Sequence, residues 1–158
     1  MKIIQVYLGG PIHGKTIEEA TSWRKTFTAN LNHAMAISPT RFKGLDIKST
    51  GDDIAGPLNY NYPKSVLSNS RAILTRDLMD IRRSDIVLMN FLETSQRYVG
   101  SFVEMGYAHA LNIPVLLVIE SNNELVQHPF VGQLASWIVP TLEDARYIVE
   151  TTANTNRV

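Results

Sequence analysis

The chain has 158 residues, enough for one domain with a single substantial core. Lysine plus arginine and aspartate plus glutamate both number 15, so no basic excess marks a nucleic-acid partner, and 44% hydrophobic residues exclude a disordered chain. Cysteine is absent, which removes disulfides, thiolate zinc sites and a cysteine nucleophile together. The first residues turn polar too early for a signal-peptide core, and no apolar run approaches membrane-spanning length. The expectation is a cytoplasmic protein with no membrane partner.

Residues 3–8 read as a first strand, followed by the loop Gly9-Gly10-Pro11-Ile12-His13-Gly14-Lys15. Thr16-x-x-Glu19 is a capping-box pattern opening a helix through about residue 33, with Ala20, Trp23, Phe27 and Leu31 on one face. Residues 35–37 form a short strand. Residues 39–63 carry Gly44, Gly51, Gly56 and Pro57 with little periodicity, and a loop of that length is placed to act as a lid. A second helix covers about 64–83, with Val66, Ile73, Leu74 and Ile81 at helical spacing, and residues 85–90 form the third strand. An irregular segment then leads to a helix over 101–111. Residues 113–119 are a near-continuous apolar strand, as expected of one buried on both faces. Residues 121–139 are mixed, a last helix starts at Thr141, and residues 151–158 form a frayed tail beyond a single domain of residues 1–150.

Strands alternating with helices imply an α/β domain with a parallel sheet, helices on both faces and right-handed crossovers. Such sheets bind ligands beyond the carboxyl ends of their strands. The first loop, the long loop and the segment before the third helix all lie at that edge.

Glu104 lies there too. With Gly100 and Ser101 at the helix start, Glu104 falls in the first turn, where exposed N–H groups and the helix dipole favour an ionised carboxylate, a nucleophile or a base. Ser101-x-x-Glu104 is also a capping box that needs no chemistry, and on spacing alone that reading stands ahead. Gly9 to Thr16 matches the phosphate-loop pattern G-x-x-x-x-G-K-T after a strand and before a helix, yet no neighbouring strand ends in an aspartate to orient a metal. The glycines still let an anionic or sugar ligand approach closely. His13, His33, His109 and His128 show no metal-ligand spacing, so no metal site is expected; His13 stands out by its place in the first loop. Asp80 and Asp85 read as members of a solvated face with local ion pairs, and Asp77 is open between that and a role at the ligand edge. Tyr7 is either strand packing or a hydroxyl aimed at that edge.

Taken together, Tyr7-Leu8-Gly9-Gly10-Pro11, Arg76-Asp77-Leu78 ahead of Ser84-Asp85-Ile86-Val87, and Gly100-Ser101-Phe102-Val103-Glu104-Met105-Gly106-Tyr107-Ala108 resemble the nucleoside 2-deoxyribosyltransferase family, including related deoxynucleoside 5′-monophosphate N-glycosidases. The similarity continues through residues 115–119 and 133–137 and misses only the long loop. It implies a flavodoxin-like doubly wound sheet of about five strands. It also implies a double displacement at the sugar's anomeric carbon, with Glu104 as nucleophile, Tyr7 orienting it, and Asp77 hydrogen-bonding and protonating the departing base, without a metal or organic cofactor. The partners implied are a nucleoside or nucleotide and an acceptor base or water. Gly9, Gly10, Pro11, His13, Lys15, Tyr98, Gly100, Ser101, Gln133 and Ser136 are the binding candidates.

Departures from the family pattern leave the base and the 5′ group open. Tyr98 stands where many transferases carry a base-contacting aspartate. His13 and Lys15 stand in a loop where the monophosphate hydrolases have an arginine. Gln133 replaces an asparagine that, in the transferases, reaches the sugar in a neighbouring subunit's site. The segment 128–137, with Phe130, Leu134 and Trp137 beside Gln133 and Ser136, accordingly reads as the interface of a homo-oligomer with shared sites. Asp77, late in a helix that runs away from the ligand edge, has to reach back. Two alternatives remain: a small phosphate-loop kinase or triphosphatase, and a non-catalytic nucleotide-binding sensor.

Overall fold

The computed structural model of the protein describes residues 3–41, 69–93 and 98–154. The first strand, β1 (Ile4–Gly9), ends in glycine. The chain then enters α1 (Ile17–Ala29) through a complete capping box, in which Thr16 Oγ1 accepts the Glu19 N–H and the Glu19 carboxylate accepts the Thr16 N–H at 2.7 Å. β2 (Ala34–Ile37) follows. α2 (Ser70–Arg82) starts where the Asn69 side chain accepts the Ala72 N–H, and it leads into β3 (Ile86–Asn90). Then come α3 (Val99–Ala110), β4 (Val115–Val118), one 3₁₀ turn at Glu124–Gln127, α4 (Val131–Leu134), β5 (Trp137–Val139) and α5 (Leu142–Ala153), capped by Thr141.

The strands are all parallel, in the order β2-β1-β3-β4-β5. Alternation along β1 sends Val6 and Leu8 to one face and Tyr7 to the other. Val6, Leu8, Leu88 and Leu116 pack with Phe27 of α1 and with Ala145 and Val149 of α5. Tyr7, Met89 and Leu117 pack with Ile81 of α2, Met105 of α3 and Val131 of α4. Helices therefore cover both faces of the sheet, which is the flavodoxin-like arrangement expected above. The chain leaves β1 outward to β2 and returns to β3 on the other side, so the carboxyl ends of β1 and β3 form the crevice where such folds bind ligands.

The fifth strand lies in the stretch that read as mixed. Its three residues pair with β4 alone at a sheet edge and are largely exposed, too short and too open to show a period. The last helix runs through Ala153, which is buried, so residues 151–153 are helix rather than tail. The lid expected over 39–63 lies outside the described residues from position 42 onward, as do Val66 at the expected start of the second helix and residues 155–158.

The start of β2 is fastened to α5. Glu150 Oε1 accepts the backbone N–H groups of Asn32 (2.8 Å) and His33 (3.3 Å), and Oε2 meets His33 Nδ1 at 2.6 Å. Burial pushes the Glu150 carboxyl up, but the bonds from His33 and Asn32 outweigh it and hold the group below its ordinary value. A depressed folded value gives stability that is present above the unfolded value and lost as pH falls through the folded one. Glu150→Gln should therefore cost about 1 kcal/mol at neutral pH. The gap from wild type should close below about pH 4. Urea titrations on either side of that pH check it.

Candidate active site

Tyr7 is fully buried on the α2/α3 face of the sheet, set two residues back from the end of β1. Its hydroxyl donates to Glu104 Oε1 at 2.8 Å, joining residues 97 positions apart. Burial, and then the charges of Glu104 and Asp77, push the Tyr7 phenol well above its ordinary range, while Arg24 pulls it down. The phenol stays protonated and serves as a donor. Asp77 is 7% exposed and lies on the same inner side of α2 as Ile81, one turn later. Because Tyr7 is set back from the strand end, a mid-helix aspartate falls within its field without reaching toward the loop edge. The fold thus brings Tyr7, Glu104 and Asp77 together from three elements.

Glu104 is not in the first turn. α3 begins at Val99 with Tyr98 as its N-cap, carries no side-chain cap bond and has no acidic residue in its first turn. Ser101 is buried inside the helix, so the capping-box reading of Ser101-x-x-Glu104 is overturned along with the first-turn placement. The cause is aromatic packing. The Tyr98 ring lies 4.5 Å from Phe91 and 5.5 Å from Phe102, which fixes the helix start ahead of Gly100. Dipole effects fade beyond the first turn, so a hydrogen bond from the Tyr7 phenol, rather than the helix start, addresses the Glu104 carboxylate.

The first loop is held tightly against β3. A Cβ on Gly9 would lie 2.4 Å from Met89 Sδ, and one on Gly10 would lie 2.6 Å from Asn90 O. Gly10 also has φ +136°, a backbone that side chains rarely adopt. Pro11 is buried and His13 half-buried in the same loop. Lys15 Nζ donates to Glu93 O at 3.2 Å, and Glu93 N–H donates to Glu120 Oε1 at 2.8 Å. The bond from Glu93 is the chief reason the Glu120 carboxyl sits below its ordinary value. These contacts tie the β1 loop to the ends of β3 and β4.

The phosphate-loop match does not have the arrangement that its chemistry needs. Thr16 Oγ1 is engaged as the helix cap, Lys15 holds a carbonyl, and the Glu19 carboxylate occupies the start of α1. A phosphate seated there would have to displace a carboxylate of the chain itself.

The remaining candidates are dispersed. Tyr98 forms an aromatic wall with Phe91 and Phe102 at the crevice, its phenol raised by burial and by Glu120. Gly100 is exposed, with open space around it. Ser136 accepts the Val115 N–H at 3.3 Å, at the start of β4 on the opposite edge of the sheet, and Gln133 is exposed on α4. Asp80 is not a solvated surface group: it is 1% exposed and bonded to Arg41 (2.5 and 2.7 Å) and to Arg83 (2.6 Å). Asp85 caps the sheet's amino edge, accepting the Gln5 N–H at 2.9 Å. Among the described residues no group of three or more His, Asp or Glu could hold a metal ion, and no helix is long and apolar enough to cross a membrane. Sequence reasoning missed Arg24 and Glu120. Arg24 had a signal, since it falls between Ala20 and Phe27 in the inward stripe of α1; Glu120 had none beyond ending an apolar strand.

Replacing Gly10 by alanine should cost about 2–3 kcal/mol, because both its backbone and the Asn90 carbonyl oppose a side chain. Gly14, at φ +81° with open space around it, should cost only about 1 kcal/mol. Parallel denaturant titrations of Gly10→Ala and Gly14→Ala test that ordering.

A family model described as nucleoside 2-deoxyribosyltransferase matches residues 6–154, from within β1 to just past α5. Comparison with curated proteins finds no match.

Proposed function

The chain belongs to the nucleoside 2-deoxyribosyltransferase family, and from that premise we propose that it cleaves the N-glycosidic bond of deoxynucleosides or their 5′-monophosphates, passing the sugar to another base or to water. The observation that carries this reading is the 2.8 Å bond from Tyr7 to Glu104 at the β1/β3 crevice.

In this reading a Glu104 oxygen forms a bond to C1′ while the C1′–N bond breaks and its electron pair leaves with the base. Asp77, in its protonated form, hydrogen-bonds the base and gives its proton to the departing nitrogen, becoming a carboxylate. A second base, or water, then attacks C1′, returns its proton to Asp77 and frees Glu104. Two displacements leave the anomeric configuration retained. Tyr7 fixes the direction of the carboxylate, and because it stays protonated it does not compete as a base. No step requires a metal or an organic cofactor. The sugar would pass over Gly9, Gly10 and Pro11, with Tyr98, Gly100 and Ser101 toward the base and His13 and Lys15 toward the 5′ end.

Glu104→Ala should lower base release by about 10³-fold or more while leaving the protein folded. Tyr7→Phe should lower it by roughly 10–100-fold, since it removes a donor and not the nucleophile. The assay is incubation with a panel of deoxynucleosides and monophosphates, with and without an acceptor base, following free base by chromatography. A folded Glu104→Ala protein with near-normal turnover would end the mechanism. Magnesium-dependent ATP turnover would instead favour the kinase alternative, and binding without turnover the sensor.

The same reading makes the working enzyme a homo-oligomer. Phe130 is 73% exposed, and Trp137 and Ile138 are exposed on the edge strand β5, so this end of the molecule carries apolar surface suited to a second copy. Gln133 and Ser136 would then serve a neighbour's Glu104. Mixing inactive Glu104→Ala with inactive Gln133→Ala subunits should restore part of the activity, and a fully active monomer by light scattering would refute the shared site.

A further inference from the structure

Arg24 projects from α1 to the end of β1 and is 1% exposed, among the largest fully buried side chains of the described protein. Its Nε donates to Leu8 O at 3.0 Å, its Nη2 to Gly10 O at 3.2 Å, and its Nη1 to Ala20 O in its own helix. The Trp23 ring lies 4.4 Å from the guanidinium carbon. Packing alone does not account for a buried guanidinium, because an apolar side chain of similar volume is commonly as stable or more so. The two outer acceptors explain more. Leu8 and Gly10 flank Gly9, and Gly10 lies beyond the last β1–β3 register pair, where the strand ladder no longer dictates the path of the chain. One planar fork bridging both carbonyls fixes the direction in which β1 ends and its loop begins.

We infer that Arg24 is a positioning residue for the active site: its guanidinium clamps the carbonyls on either side of Gly9, sets where Tyr7 meets Glu104, and places a positive charge behind that pair. The inference rests on the base-release reading of the site. The charged and titratable groups acting on Tyr7 are Glu104 from α3, Asp77 from α2 and Arg24 from α1. Arg24 is the cation of this set. It opposes the two acidic groups in their effect on the Tyr7 phenol, so its loss removes the positive charge that offsets them there.

The test compares Arg24→Met, which loses charge and fork, with Arg24→Lys, which keeps the charge and loses the fork. For Arg24→Met, kcat should fall about tenfold or more with KM within about threefold, the pattern of a misdirected nucleophile. The acid limb of its pH–rate profile should move up by roughly half a unit or more. Arg24→Lys should also lose kcat but keep the wild-type acid limb. Amide hydrogen exchange should quicken in residues 8–15 in both variants and stay unchanged elsewhere. A folded Arg24→Met enzyme with the wild-type kcat and pH profile, or exchange that rises uniformly, would overturn the proposal. If the methionine variant does not fold, the lysine variant decides, since wild-type kcat there would exclude a clamp. A wild-type protein that releases base from no substrate sinks the proposed function instead, and the exchange pattern still settles whether Arg24 holds the loop.

Discussion

A neutral phenol, itself fully buried, donating at 2.8 Å to a half-buried carboxylate between β1 and α3 sets the terms for what surrounds it. Hydrogen bonds to an ionised acceptor are stronger than neutral ones, but only while the donor keeps its proton. Burial does most of that work for Tyr7, and the two carboxylates nearby reinforce it. The bond also constrains the backbone. Tyr7 must face α2 and α3, which the period of a strand achieves by sending Val6 and Leu8 the other way. β1 must run close beside β3, and Gly9 permits this because the room a side chain would take is filled by Met89. α3 must start early enough to carry Glu104 down to the level of Tyr7, and the packing of the Tyr98 ring against Phe91 sets that start.

The electrostatics of the loop edge follow a different logic from those of the crevice. Glu19 holds the start of α1, its carboxyl lowered by the backbone bond from Thr16 and then by the Thr16 side chain. Lys15 is directed to the Glu93 carbonyl, and Glu93 in turn to Glu120. The groups that look in sequence like a ready phosphate cradle thus spend their hydrogen bonds on joining three strand ends. An anion placed there would compete with these internal partners.

What could be read from sequence was local, and what could not was set at a distance. The Thr16–Glu19 cap forms as its spacing says, because both partners lie within one turn. The same spacing at Ser101 and Glu104 misleads, because the helix start there is decided by rings on both sides of the segment. The apolar runs at 86–90 and 115–118 announce themselves as buried strands, while β5, three residues long at an edge, has nothing periodic to show. The local ion pair of Asp80 with Arg83 is visible in the sequence, but its burial is not, because the second partner, Arg41, lies 39 residues away in the chain. Tyr7 and Glu104 were separately visible as candidates, but their pairing across 97 positions came only through the resemblance. Arg24 escaped because a lone arginine on a helix suggests solvent, although its phase with Ala20 and Phe27 points inward.

Two aspartates on α2, three residues apart, show how the same side chain is assigned opposite work. Asp80 receives a bidentate Arg41 and a second guanidinium from Arg83, so its oxygens are committed to holding α2 against the segment after β2. Arg76 adds a further tie, donating to Pro39 O at 2.6 Å. These bonds fix the rotation of the helix about its axis. Once that rotation is fixed, Asp77 is turned to the inner side, into the field of Tyr7. The ion pair at Asp80 is therefore better understood through what it orients than through the stability it adds. A buried pair returns little net energy once desolvation is counted, yet a helix that could roll would lose the register between Asp77, Tyr7 and Glu104.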